Sequence, residues 1–292
     1  MTITTENSVT GIDDQLNVEK NQPLLVALDV DGTLVNHRGE MSEAVRTAAQ
    51  SAAAAGNHLV IATGRSLGAT LPVAQELGIE RGYCVSSNGG VTVRLDPDLP
   101  NGFEVVDKAT FDPAPALLAV RKALPGALFA LETEDGEFLS MNAFQDASFG
   151  VKAREVSFED MLHAQAVRVV VFSTDTSAEE FGEAVSAIGL HGVTYSVGWT
   201  AWLDIAAQGV TKATALEGVR DRLDIAEDAT LAIGDGRNDV EMLEWAGCGV
   251  AMGQAPDEVK DVANRVTDTV ENDGAARVLE QLAPVQRTSQ GA

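Results

Sequence analysis

The stretch Leu24 to Asp29 is an apolar run that ends abruptly in acid and glycine, Asp29-Val30-Asp31-Gly32. A short apolar run with no polar alternation fits a strand covered on both faces, which is how a parallel strand with helical crossovers looks. The rhythm that follows agrees. A helix is expected from the N-cap Ser42 to Ala55 with Gly56 as its left-handed stop, then a strand over His58 to Ala62. A second helix over Ser66 to Leu77 is stopped by Gly78, and a third strand over Tyr83 to Ser86 runs into Asn88-Gly89-Gly90. Three strands with helical crossovers imply a parallel sheet.

Near Val91 the rhythm changes. VTVRL, the turn-forming DPDLPNG and FEVVD read as a hairpin, followed by a helix over Pro113 to Leu124. Further strands are expected over Ala127 to Glu132, after Asp135-Gly136, over Val167 to Ser173 and over Val193 to Val197, with a helix over Ala178 to Ile188. The opening rhythm returns with WLDIA, a helix from Lys212 to Leu223 and a strand from Thr230 to Ile233 that ends in Gly234-Asp235. Helices over Val240 to Ala246, Pro256 to Ala263 and Ala275 to Leu282 complete it. The expected organisation is a doubly wound, parallel-sheet α/β core made of residues 22–91 and 198–285, an inserted α/β domain over 92–197, and loose polar tails over 1–21 and 286–292.

A formal charge of −24 over 292 residues argues against nucleic acid as a partner. No apolar run approaches the ~18 residues of a membrane span, and the acidic start of the chain is unlike a signal peptide. The two cysteines, Cys84 and Cys248, have no metal or redox spacing and are expected as buried free thiols, so a cytoplasmic protein, monomer or homodimer, is anticipated.

In an extended chain residues i and i+2 face the same way, so Asp29 and Asp31 can point into one crevice at the carboxyl end of their strand. Three further strand ends carry polar groups: Thr63-Gly64-Arg65, Asn88, and Asp235 with Asn238 and Asp239. Each has a bland alternative, because Thr63, Asn238 and Asp239 could cap helices and Asn88 could serve a turn. Lys212 opens a helix, where the macrodipole disfavours a cation and the residue is expected to contribute little stability. Carboxylates without a His or Cys cluster favour magnesium over zinc. In this reading Asp29 attacks phosphorus, Asp31 moves a proton, Thr63 bonds a phosphoryl oxygen and Lys212 offsets charge. Glu132, His163, Arg168, Trp199 and Trp202 are read as packing or surface residues, and His37 and His58 as incidental.

Together DVDGTL (29–34), IATGR (61–65), SNGG (87–90), GVTK (209–212) and GDGRND (234–239) make the chain resemble the Cof-like branch of the haloacid dehalogenase-like phosphohydrolases. The resemblance implies Asp29 as nucleophile, Asp31 as general acid and base, Thr63 and Lys212 as phosphate stabilisers, and magnesium on Asp29, the Asp31 carbonyl and Asp235. It implies support for metal or lysine from Asn238 and Asp239, substrate contacts from Thr63, Gly64, Arg65, Asn88 and Lys212, and an inserted cap that closes over the core. Small phosphomonoesters such as sugar phosphates or phosphorylated cofactors are the expected substrates. A sugar phosphomutase using the same phospho-aspartate and a receiver-type signalling domain are the alternatives.

Overall fold

The computed structural model describes residues 22–142, 144–198 and 200–282, so both expected tails and Trp199 lie outside the described residues. In chain order the elements are β1 (Leu25–Leu28), α1 (Glu43–Ala54), β2 (His58–Ala62), α2 (Leu67–Leu77), β3 (Gly82–Ser86), β4 (Val91–Leu95) and β5 (Phe103–Lys108). Then come α3 (Ala114–Ala123), β6 (Leu128–Thr133), β7 (Phe138–Ser140), β8 (Arg154–Glu155), α4 (Phe158–Met161), β9 (Ala166–Phe172), α5 (Ala178–Ile188), β10 (Val193–Val197) and β11 (Trp202–Ala207). The chain continues with α6 (Lys212–Leu223), β12 (Thr230–Gly234), α7 (Val240–Trp245), β13 (Cys248–Ala251), α8 (Asp257–Lys260), β14 (Arg265–Val266) and α9 (Gly274–Leu279).

These elements build two sheets. The larger runs β14-β13-β12-β1-β2-β3-β4-β5, parallel from β14 to β3 and antiparallel at the β3–β4–β5 edge. All four residues of β1 are buried, as a central strand with both faces covered requires. Helix α1 begins where Ser42 accepts a hydrogen bond from the Val45 amide, and it packs Val45, Ala48, Ala49 and Ala52 inward at helical spacing. The smaller sheet, β10-β11-β9-β6-β7-β8, carries its own apolar core around Leu117, Phe129, Val169, Phe181 and Ile205.

Sheet membership corrects the expected boundaries at both ends of the insertion. The β4–β5 hairpin, expected in the inserted domain, extends the large sheet, because Val91, Val93 and Leu95 alternate inward onto the main core. Strand β11, expected as the return to the core, pairs antiparallel with β9 and β10 and buries Leu203 and Ile205 in the smaller core. The inserted sheet therefore lies between Lys108 and Lys212. Strands β13 and β14 were not anticipated, and the helix expected over Pro256 to Ala263 contracts to the four residues of α8.

Candidate active site

Strand order runs outward in opposite directions from the β1–β12 pair, and Asp29 and Asp235 follow those two strands. Such a switch point leaves a crevice at the carboxyl ends of the strands. Thr63 follows β2 and Asn88 sits in the turn after β3, so four adjacent strands deliver polar groups to one edge. A cavity of about 360 Å³ there is lined by Asp29, Asp31, Thr63, Gly64, Arg65 and Asp235, with Asp146, Ser148, Arg168 and Asp204 of the inserted segment opposite. Lys212 and Asn88 line a narrow adjoining cleft that shares Asn238 and Arg168 with it.

The buried centre is an ion triad. Lys212 Nζ lies 2.6 Å from Asp29 Oδ1 and 2.5 Å from Asp239 Oδ1, and all three side chains are buried. Asp239 Oδ2 also accepts from the backbone N–H groups of Asp235 and Gly236, so it ties the lysine to the loop after β12. Lys212 was expected as a helix-start residue with little stabilising role, and its burial between two carboxylates makes that a matter for measurement. Thr211 caps α6 from its side chain, and Lys212, in the first turn, runs inward to the two carboxylates instead of facing the solvent. Burial works against its charge, yet Asp239 and Asp29 hold the ammonium well above its ordinary range.

One lysine does not neutralise the carboxylates gathered there. Burial, and next the neighbouring Asp239, push the Asp29 carboxyl well up despite Lys212. Burial and Asp239 likewise push Asp235 up to about 7, against a hydrogen bond from Gln254. Oxygens of Asp29, Asp235 and Asp239 lie within 4.8 Å of one another. An all-oxygen, under-neutralised set of this kind fits a hard divalent cation. Two neighbouring side chains have partners of their own. The Asp31 carboxylate accepts a bidentate pair from Arg65, Nε at 2.9 Å and Nη2 at 2.6 Å, and Asn238 donates its amide to Asn88 Oδ1 at 2.9 Å. That pairing occupies the Asp31 side chain, not the backbone carbonyl expected on the metal, and the Asn238 amide is oriented by Asn88.

The capping alternatives resolve case by case. Ser66, not Thr63, is the N-cap of α2, and its hydroxyl donates to the Phe149 carbonyl of the inserted segment at 2.6 Å instead of capping the helix. Thr63 Oγ1 accepts from the nearby Arg65 amide at 3.2 Å and caps no helix. Asn88 has φ +53°, a left-handed turn conformation that asparagine tolerates, and it follows Ser87 at φ +52°. Gly32 has φ +83°, and a Cβ there would stand 2.2 Å from Asp235 Oδ2, so the loop after β1 can approach Asp235 only as glycine.

Two contributors escaped the sequence reading. Gln254, after β13, donates to the Gly32 carbonyl at 2.6 Å and to Asp235 Oδ2 at 3.2 Å, tying the two strand-end loops together. Its only sequence signal is a polar residue beyond an unrecognised strand. Asp204 binds Arg168 in the cavity wall, and both were hidden in apolar strands. Glu132 and Arg168, read as packing or surface residues, are buried beside the site, where Glu132 accepts from Ser87 Oγ at 2.5 Å. His37 and His163 are exposed, and His58 opens β2 at the end away from the cavity.

A model of the haloacid dehalogenase-like hydrolase family matches residues 26–279. The chain is similar to the 5-amino-6-(5-phospho-D-ribitylamino)uracil phosphatase YitU of Bacillus subtilis (strain 168), 26% identical over 268 residues, covering 90% of this chain and 98% of that protein. Among solved structures it is similar to a haloacid dehalogenase-like hydrolase from Bacteroides thetaiotaomicron, with TM-score 0.72 and 26% identity over 89% of this chain and all of the other. It is also similar to a sugar phosphatase of HAD subclass IIB, with TM-score 0.74 and 25% identity over 88% of this chain and 98% of the other. With the family model matched across both sheets, the chain belongs to the haloacid dehalogenase-like hydrolases and is a phosphatase of that superfamily.

Proposed function

We propose that the protein hydrolyses small phosphomonoesters, with magnesium, through an aspartyl-phosphate on Asp29. The observation that carries the reading is the buried Asp29–Lys212–Asp239 triad, whose Asp29 lines, with Asp235, a cavity that the inserted segment also lines. Asp29 and Asp235 would hold the cation, which when bound screens the carboxylates from the incoming phosphate. Asp29 then attacks phosphorus with a carboxylate oxygen as the bond to the leaving oxygen breaks. Asp31, once an oxygen leaves its bidentate pair with Arg65 and takes up a proton, supplies that proton to the leaving oxygen and later takes one from the water that opens the aspartyl-phosphate. The Thr63 hydroxyl donates to a phosphoryl oxygen, and the Lys212 ammonium opposes the charge spread over the transferring group.

The relatives named for a ribityl phosphate and for sugar phosphates support a phosphorylated polyol or sugar as substrate class. Two buried thiols that form no disulfide accord with a cytoplasmic enzyme. The test is p-nitrophenyl phosphate turnover with magnesium, with excess chelator, and with magnesium restored. Turnover should follow the metal, and Asp29→Asn should lose about 10³-fold or more. Undiminished turnover in Asp29→Asn overturns the proposal, and interconversion of hexose phosphate isomers without phosphate release would favour the mutase reading.

A further inference from the structure

Arg168 is buried on β9, its side chain only 3% exposed, with Nε donating to Asp204 Oδ1 at 2.5 Å. Its Nη1 is buried and has no hydrogen-bond partner among the described residues. A buried guanidinium donor left unpaired is costly, so it calls for a bound water or a ligand to meet it. The side chain lines both the cavity above Asp29 and the adjoining cleft, on the wall opposite the strand-end loops. Both oxygens of Asp204 are engaged, Oδ2 accepting from Trp202 Nε1 at 2.9 Å while Oδ1 holds the guanidinium. Glu132 faces Arg168 across the β6–β9 ladder.

We propose that the Arg168–Asp204 pair is the specificity element of the site, binding an uncharged oxygen of the leaving group, a hydroxyl or carbonyl, and rejecting leaving groups that carry a second anion. The inference rests on the phosphatase reading above and deepens it. Position makes Arg168 a reader of the leaving group, since it comes from the inserted sheet whereas Asp29, Thr63 and Lys212 come from the strand ends and α6 of the core. Charge sets what it reads. Asp204 neutralises the guanidinium, and the inserted segment's share of the lining adds Asp146 with no further cation, so a second carboxylate or phosphate meets a net negative wall. A hydroxyl or carbonyl oxygen can accept from Nη1 without that penalty.

The experiment compares sorbitol 6-phosphate with 6-phosphogluconate, two open-chain monoesters that differ by a terminal hydroxymethyl against a carboxylate, with p-nitrophenyl phosphate as reference. The wild type is expected to favour sorbitol 6-phosphate in kcat/KM by about tenfold or more. Arg168→Met should lower the ratio of sorbitol 6-phosphate to p-nitrophenyl phosphate by about 10- to 100-fold, the loss of one charged hydrogen bond. Asp204→Asn, which removes the counter-charge and keeps the shape, should move the preference about tenfold toward 6-phosphogluconate, through KM. A wild-type preference for 6-phosphogluconate overturns the inference and needs no variant to fold. So does an unchanged preference in Asp204→Asn with wild-type melting. Absence of magnesium-dependent phosphate release from all three esters would instead remove the phosphatase reading itself.

Discussion

Removing the Lys212 ammonium is the sharpest test of how the site is built. Lys212→Met keeps the length and helix propensity of the side chain and leaves the Thr211 cap of α6 in place. It deletes the cation that lies 2.6 Å from Asp29 and 2.5 Å from Asp239, leaving two buried carboxylates facing each other. Breaking a buried ion pair by removing one partner costs about 3–5 kcal/mol. At roughly 2–4 °C per kcal/mol for a chain of this size, the melting temperature should fall by about 6–20 °C. The lower half of that range is expected, because Asp29 can take up a proton. Burial and Asp239 already raise its carboxyl, and without Lys212 it rises further. An acid raised in the folded state binds a proton that the unfolded chain releases. The variant should therefore be least impaired near the ordinary carboxylate value of about 3.9 and lose stability as pH rises above it. Adding Asp239→Asn removes one of the two opposed charges and should recover at least half of the loss. Calorimetric or circular-dichroism melts of the single and double variants at two pH values decide the matter. Melting of Lys212→Met within about 2 °C of wild type, or penalties that simply add in the double variant, would refute the triad as a structural unit.

Gly32→Ala should weaken the metal site more than the fold. Its left-handed φ costs about 1–2 kcal/mol for any L side chain, and the new Cβ must displace Asp235 from 2.2 Å, so half-saturation by magnesium should rise by about tenfold or more in a metal titration. An unchanged titration would separate Asp235 from the metal. Burial pushes the Cys84 thiol up to about 12 and also raises Cys248. At pH 8 neither holds appreciable thiolate, so iodoacetamide should label neither in the native protein and both after guanidinium unfolding, as mass spectrometry would read directly. Labelling of either in the native state would contradict the burial of both residues.

The comparison of pattern with fold separates two kinds of information. Asp29, Thr63, Lys212 and Asp235 were legible because each sits where a buried strand or a capped helix meets a turn, and the local pattern marks both. The inserted segment was legible as a change of rhythm, but not its edges. An alternating strand looks the same whether it extends a parallel sheet antiparallel, as β4 and β5 do, or starts a new sheet. Strand β11 was misassigned for the same reason: its partners β9 and β10 are chosen by which core receives Leu203 and Ile205.

Local sequence alone determined the αβ rhythm, the strand ends that carry acid, and the glycine that lets the first loop turn, since these depend on burial period and on backbone conformation within a few residues. Tertiary structure decided the rest. It drew Lys212 between two carboxylates from distant segments, turned Asp31 toward Arg65, brought Gln254 across to Gly32, and set an Arg168 donor in the cavity wall. Those outcomes follow from the balance of desolvation against pairing among charges far apart in the chain, a quantity that exists only once the strands are side by side.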